Sequence, residues 1–215
     1  MQIIHQKYDK ELLNQLPVET FTGRIIVINN FADAKKAVRY LMNYPILGID
    51  TETKPNFKKG RMNKVALLQV ATYDTAFLFQ LHLTGITDDI KRLLEDGQVM
   101  KVGLSLNDDI RALNARRKIK PGNFVDLQKM VNEIGIEDLS LQKIYANLFG
   151  MKISKRKQLS NWNAETLDEA QKRYAALDSV ACLRIYDKII ELEQSGDYQI
   201  TNTPRYSQIL KFLVK

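Results

Sequence analysis

Two apolar runs near the middle of the chain, KVALLQVAT at 64–72 and TAFLFQL at 75–81, constrain the fold more than any other feature. Both are rich in β-branched, aromatic and aliphatic side chains, and only Tyr73-Asp74 separates them, so they read as a hairpin. Further strand patterns lie at 24–28 (RIIVI), 46–52 (ILGIDTE) and 99–105 (VMKVGLS), with a short extended piece at 124–127. Helical patterns cover 31–43, with Asn30 as N-cap, then 87–96, ended by Gly97, and 108–117. Others follow near 128–134 and at 140–149, where Gly150 stops the helix. The longest runs from Leu167 to about Gln194, with Thr166 and Glu169 at capping-box spacing, and 203–215 reads as a short final helix. Strands early, helices late and a hairpin inside predict an α/β fold with a mixed sheet flanked by helices.

With 215 residues and no internal repeat or Pro/Gly-rich linker, the sequence reads as one domain over 1–215 with short terminal extensions. A content of 45% hydrophobic and 27% charged residues excludes chain-long disorder. No apolar run approaches the roughly 20 residues that span a bilayer, so no membrane partner is expected, and the first residues lack a secretory core. The one cysteine, Cys182, excludes an internal disulfide framework and suits a reducing, cytoplasmic setting, where it reads as a small buried hydrophobe. With only His5 and His82 beside it, a Cys/His zinc site lacks ligands and a Ser-His-Asp hydrolase is poorly served. His82, after a strand, reads as a loop residue. Lysines and arginines outnumber acids by 32 to 25, and a net charge of +7 leans towards phosphodiester backbones or anionic membrane faces.

Within this basic chain a few acids stand out. Asp50 and Glu52 end an apolar strand two residues apart, so both project from one face. Fixed carboxylates of this kind suit Mg²⁺ or Mn²⁺, although a D-x-E pair is also an ordinary solvated strand end. Asp109 falls in the first turn of the helix after VMKVGLS, where the helix dipole favours acids in any case, and Asp108 fits that reading equally well. Tyr174 and Asp178 are one helical turn apart in an apolar stretch, so Asp178 must meet a cation, a donor or a raised pKa; a lysine or arginine from another element would also serve. If Asp50, Glu52, Asp109 and Asp178 converge, they need bound cations, and two divalent ions would form the clamp of in-line phosphodiester displacement.

These segments resemble the three motifs of the DEDD exonuclease superfamily. Asp50-Thr-Glu52 is similar to motif I, KVGLSLNDDIRAL (101–113) to motif II, and Tyr174-Ala-Ala-Leu-Asp178 to motif III of the tyrosine subclass. Distances from Lys101 and to Leu113 align Asp109 with the motif II acid, and Asp108 is the alternative one residue away. Similarity extends over about residues 20–194, nearest the Werner-type and ribonuclease D-type branches. The resemblance implies a ribonuclease H-like fold and metal-dependent 3′→5′ hydrolysis releasing nucleoside 5′-monophosphates. It implies one ion on Asp50, Glu52 and Asp178, a second on Asp50 and, through water, Asp109, and Tyr174 orienting the attacking water. It also implies 3′ ends of DNA or RNA as partners, with DNA and a repair setting favoured, and no organic cofactor. A catalytically retired nucleic-acid or protein-binding fold is the competing reading; retirement usually removes a carboxylate, and here all are present.

Basic clusters at Lys155-Arg156-Lys157, at Arg116-Arg117-Lys118 with Lys120, and at Lys58-Lys59 with Arg61 could follow a strand's backbone, or simply solvate loops. Lys155, Arg156 and Lys157, with Lys54 after motif I, are the candidate substrate-binding residues; Asn56 and Phe57 join Lys54 as candidates for the terminal-nucleotide pocket. Trp162 reads as core rather than as a base-stacking platform.

Overall fold

The computed structural model describes residues 1–55 and 63–202. Asn56, Phe57, Lys58, Lys59 and Arg61, and the final helix expected at 203–215, lie outside the described residues. The elements are β1 (Gln2–His5), α1 (Lys10–Gln15), β2 (Arg24–Ile28), α2 (Phe31–Leu41), β3 (Ile46–Thr53), β4 (Val65–Ala71), β5 (Thr75–Gln80), α3 (Leu81–Thr84), α4 (Asp88–Glu95), β6 (Met100–Gly103), α5 (Leu106–Arg116), β7 (Phe124–Asp126), α6 (Leu127–Glu133), α7 (Leu141–Phe149), α8 (Glu169–Ser195) and β8 (Tyr198–Thr201).

The apolar runs form the antiparallel pair β4–β5, buried along its whole length, inside a sheet ordered β2-β5-β4-β3-β6-β7. β3 is antiparallel to β4 and parallel to β6, so the sheet is mixed. Strand periodicity divides the side chains between two layers. Ile49, Leu68, Val70, Phe77 and Phe79 meet apolar residues of α2, α4 and α5 on one face. On the other, Ala71, Ala76 and Val102 meet α6, α7 and α8. Covering both faces of the central strands explains why their sequences are apolar throughout rather than alternating.

The sequence-predicted caps hold at Asn30, whose side chain accepts from the Asp33 N–H, and at Gly150, whose φ of 65° is a conformation that side chains resist. The capping box of the long helix sits two residues later than the sequence suggested. Asp168, not Thr166, is the N-cap, its carboxylate accepting from the Gln171 N–H at 2.7 Å while Gln171 Oε1 accepts from the Asp168 N–H at 3.0 Å. Leu167 is buried (2% exposed) against Trp162, which fixes the chain's entry and makes the next acid the cap.

His82 is in the short helix α3 rather than a loop, with Nδ1 3.4 Å from the Ala66 carbonyl oxygen. β1 and β8 pair in parallel as a separate two-stranded sheet, which the sequence reading did not anticipate. Cys182 and Trp162 are buried as expected, and the Trp162 indole N–H donates to the Gln158 carbonyl. Among the described residues no helix is long and apolar enough to cross a membrane.

Candidate active site

The site grows from an overhang of β3. β6 pairs only with Ile46–Gly48, whereas β4 continues alongside to Thr53, so the segment carrying Asp50 and Glu52 has a strand neighbour on one side alone. Asp50 and Glu52 share the face covered by α8, and Thr51 projects to the opposite layer. α8 lies very close to β3 at Gly48, where a Cβ would stand 1.9 Å from the Ser179 carbonyl oxygen. That contact seats the neighbouring Asp178, 4% exposed, over the Asp50 face. Tyr174, one turn earlier, directs its hydroxyl to Asp178 and favours the charged carboxylate.

Asp109 arrives from the other layer. It lies in the first turn of α5, and its carboxylate accepts a hydrogen bond from the Thr51 hydroxyl. Asp108 points away; its side chain is 88% exposed and pairs with Arg111 at 3.2 Å. Of the two neighbouring acids, Asp109 faces the acidic group and Asp108 does not. The start of α5 is held by Asp126, whose carboxylate accepts from the N–H groups of Ser105 at 2.8 Å and Leu106 at 3.0 Å. Ser105 is held there with φ at 56°, an unusual conformation for a residue with a side chain.

Asp50, Glu52, Asp109 and Asp178 form no ion pair with any described residue. Burial, followed by the charges of Asp178 and Asp109, pushes the Asp50 carboxyl well above its ordinary value. Burial and then Asp50 raise Glu52 to about 9. Burial raises Asp178 to about 7, against the opposing help of Tyr174 and of Lys155, and raises Asp109 to about 6, against that of Thr51. Burial also pushes the Tyr174 phenol up. Such mutually repelling oxygen donors, without an ion-pair partner among the described residues, are the chemistry a hard divalent cation completes. Among the described residues no three acids, histidines or cysteines are already gathered around one point. The donors fit by kind, with Asp109 hydrogen-bonded across the strand to Thr51.

A cleft of about 350 Å³ opens over Asp50, Glu52, Tyr174 and Asp178. Lys155 lines it, together with Ser140, Gln142 and Gln158, which the sequence reading missed because isolated polar residues on loops and helix starts carry no pattern. Arg156 and Lys157 instead border a neighbouring hollow of about 390 Å³ with Arg173 and Phe21, and Tyr174 lines both spaces. Lys157 is also tied to the α8 cap, 2.7 Å from Asp168. Lys54 is exposed and lines neither. In the second basic cluster, Arg116 donates to the Val65 carbonyl and Arg117 pairs with Asp88 at 2.5 Å, so these side chains bind the chain to itself.

The family described as 3′-5′ exonuclease matches residues 25–192, which include every residue of the acidic set. The chain belongs to this family, a domain of the DEDD superfamily. Its sequence is 29% identical over 188 residues to the bifunctional 3′-5′ exonuclease/ATP-dependent helicase WRN of Mus musculus, covering 83% of this chain and 13% of that protein. The chain thus spans a small part of that relative. The fold matches the Nibbler EXO domain of Aedes aegypti with a TM-score of 0.76 at 20% identity, covering 92% of this chain and all of that one. It also matches Escherichia coli RNase D, an exoribonuclease involved in structured RNA processing, with a TM-score of 0.71 at 20% identity, covering 80% and 46% of the two chains. The mixed sheet flanked by helices is accordingly of the ribonuclease H-like kind.

Proposed function

We propose that this DEDD-type domain is a metal-dependent 3′→5′ exonuclease that removes nucleoside 5′-monophosphates from nucleic-acid 3′ ends, with DNA favoured over RNA. The observation that carries the reading is the acidic set, with Asp178 buried and Asp50, Glu52 and Asp109 half-buried, with no ion-pair partner among the described residues and with Tyr174 facing it. The lean to DNA rests on sequence likeness to the Werner-type branch.

Asp50, Glu52 and Asp178 would hold one Mg²⁺ or Mn²⁺, and Asp50 with Asp109, through water, a second. When bound, these ions supply neutralising charge, an acidified water and a stabilised leaving oxygen. The chain's own groups do the rest. The Tyr174 hydroxyl orients the attacking water, which gives up a proton to solvent as its oxygen bonds to phosphorus. The bond to the departing 3′-oxygen breaks and that oxygen takes a proton from solvent, leaving a 5′-monophosphate and a 3′-hydroxyl. Lys155, in the cleft, takes a backbone phosphate, and Leu104 and Ile153 give the cleft apolar lining beside it.

The test offers 3′-labelled and 5′-labelled DNA and RNA, single- and double-stranded, with Mg²⁺, Mn²⁺ or EDTA. Expected is immediate release of a labelled mononucleotide from 3′-labelled strands and a shrinking ladder from 5′-labelled ones, both silenced by EDTA. Internal cuts, release from the 5′ end, or full turnover in EDTA would reject the proposal.

A further inference from the structure

Gln69 stands opposite Asp50 in the β3–β4 register, so the two side chains project to the same face of the sheet, beneath α8. Gln69 has no exposed surface, and neither its amide nitrogen nor its amide oxygen has a hydrogen-bond partner among the described residues. A buried amide left unpaired is costly, and an apolar side chain of the same length would avoid that cost. The surroundings give it little else to hold. Leu67 and Ala71 flank it on its own strand, Leu78 lies opposite it in β5, and all are fully buried. Ser179 of α8 spends its hydroxyl on the Ala175 and Ala176 carbonyls. Asp50 is different: one of its oxygens accepts from the Thr51 N–H at 2.9 Å, which leaves acceptor capacity on the face Gln69 shares. Directly opposed residues in antiparallel strands have Cβ atoms about 4.5–5.5 Å apart, within reach of a glutamine amide or of one bridging water.

We propose that Gln69 is a positioning residue of the active site, its amide holding the Asp50 carboxylate through one buried water in the orientation a divalent cation needs. The inference rests on the metal-dependent reading above, and the idea is chemically ordinary: groups behind a metal ligand fix its orientation. Gln69 touches neither substrate nor reacting atoms, so its effect is read through Asp50.

The experiment compares wild type with Gln69→Met, which keeps length and removes both polar atoms. Mn²⁺ affinity is measured by calorimetry without substrate, and stability by urea unfolding without metal, including the cycle with Asp50→Ala. Gln69→Met should stay folded and bind Mn²⁺ about 10-fold to 100-fold more weakly. In the metal-free cycle the stability effects of Gln69→Met and Asp50→Ala should fail to add. A merely structural glutamine would leave Mn²⁺ affinity unchanged and the two effects additive, and either result overturns the proposal. Should Gln69→Met not fold, Gln69→Asn, with a shorter stem, takes its place and should show the same weakened affinity and non-additivity. If wild type itself takes up no Mn²⁺, the metal-dependent reading fails, and the metal-free cycle alone decides whether Gln69 holds Asp50.

Discussion

Gly48 and Ser179 meet backbone to backbone: a Cβ on the glycine would lie 1.9 Å from the Ser179 carbonyl oxygen. Gly48→Ala must therefore push α8 off β3, because the obstructing atom belongs to a helix backbone and cannot swing aside. The expected cost is about 1–3 kcal/mol of stability, as for other overpacked sites. Turnover per folded molecule should also fall, because Asp178 rides on the displaced helix. Urea unfolding and single-turnover kinetics check this, and unimpaired turnover would show that the close approach does not position Asp178.

Without metal, the protein should lose stability as pH rises from about 5 to about 9. In the folded chain Asp178 keeps its proton to about 7 and Glu52 to about 9, above their ordinary values of 3.8 and 4.5. Between those limits the native state binds more protons than the unfolded state, so the slope of stability against pH is negative. Melting in EDTA across that range should show it, and excess Mn²⁺ should flatten it by favouring the charged carboxylates. Asp178→Asn should reduce the slope in EDTA and abolish turnover. A flat profile in EDTA would mean that the acids are neutralised by something other than protons.

Asp108→Asn and Asp109→Asn separate neighbours with opposite surroundings. Asp108 is exposed and Asp109 meets Thr51, so both changes should alter stability by no more than about 1 kcal/mol. Only Asp109→Asn should severely reduce turnover. Equal losses, measured on one oligonucleotide with thermal melting alongside, would remove Asp109 from the proposed metal-holding set.

Tyr174→Phe keeps the ring, which packs 6.0 Å from that of Trp162, and deletes only the hydroxyl facing Asp178. Single-turnover rate should drop by about 10-fold to 1000-fold with substrate affinity and Mn²⁺ binding little changed. A variant that melts lower but turns over normally would make the hydroxyl structural.

Lys155→Ala should reduce the log-log salt slope of single-strand binding by about 0.7, the signature of one lost phosphate contact. Lys157→Ala should in addition cost about 0.2–1 kcal/mol, because it releases Asp168 at the α8 cap in a partly exposed pair. Fluorescence anisotropy at several salt concentrations, with melting curves, distinguishes them; an unchanged slope for Lys155→Ala would return it to an ordinary solvated lysine.

The central strands and long helices were readable because each has a period or an apolar run long enough to stand out. That Asp50 shares a face with Glu52, and Tyr174 with Asp178, was readable from spacing within one strand or helix; that the two pairs face each other was not, since it depends on the close approach of α8 to β3 at Gly48. Asp109 against Asp108 was not decided by the residues alone: both suit a helix start, and only Thr51, from a distant strand, tells them apart. β1 and β8 escaped notice since strands of four residues carry no usable period, and each is defined by a partner at the other end of the sequence. The capping box was displaced because Thr166-x-x-Glu169 and Asp168-x-x-Gln171 are equally well formed as strings. Burial of Leu167 decides between them, and burial is a tertiary fact. Gln69 looked like one polar residue in an apolar strand until the register set it opposite Asp50.

Asp126 accepts the N–H groups of Ser105 and Leu106 from one helix and of Gln128, at 3.0 Å, from the next. One carboxylate at the tip of β7 thus serves as a shared hinge pin for α5 and α6, and Asp109 sits on the first turn of α5. The start of the helix that carries that acid is therefore held from behind, by the edge strand of the sheet, through a residue that does not line the cleft. Changes in the 117–123 connection that shift β7 would tilt α5 as a lever and move Asp109. Sequence variation there can move Asp109 while leaving every cleft-lining residue as it was.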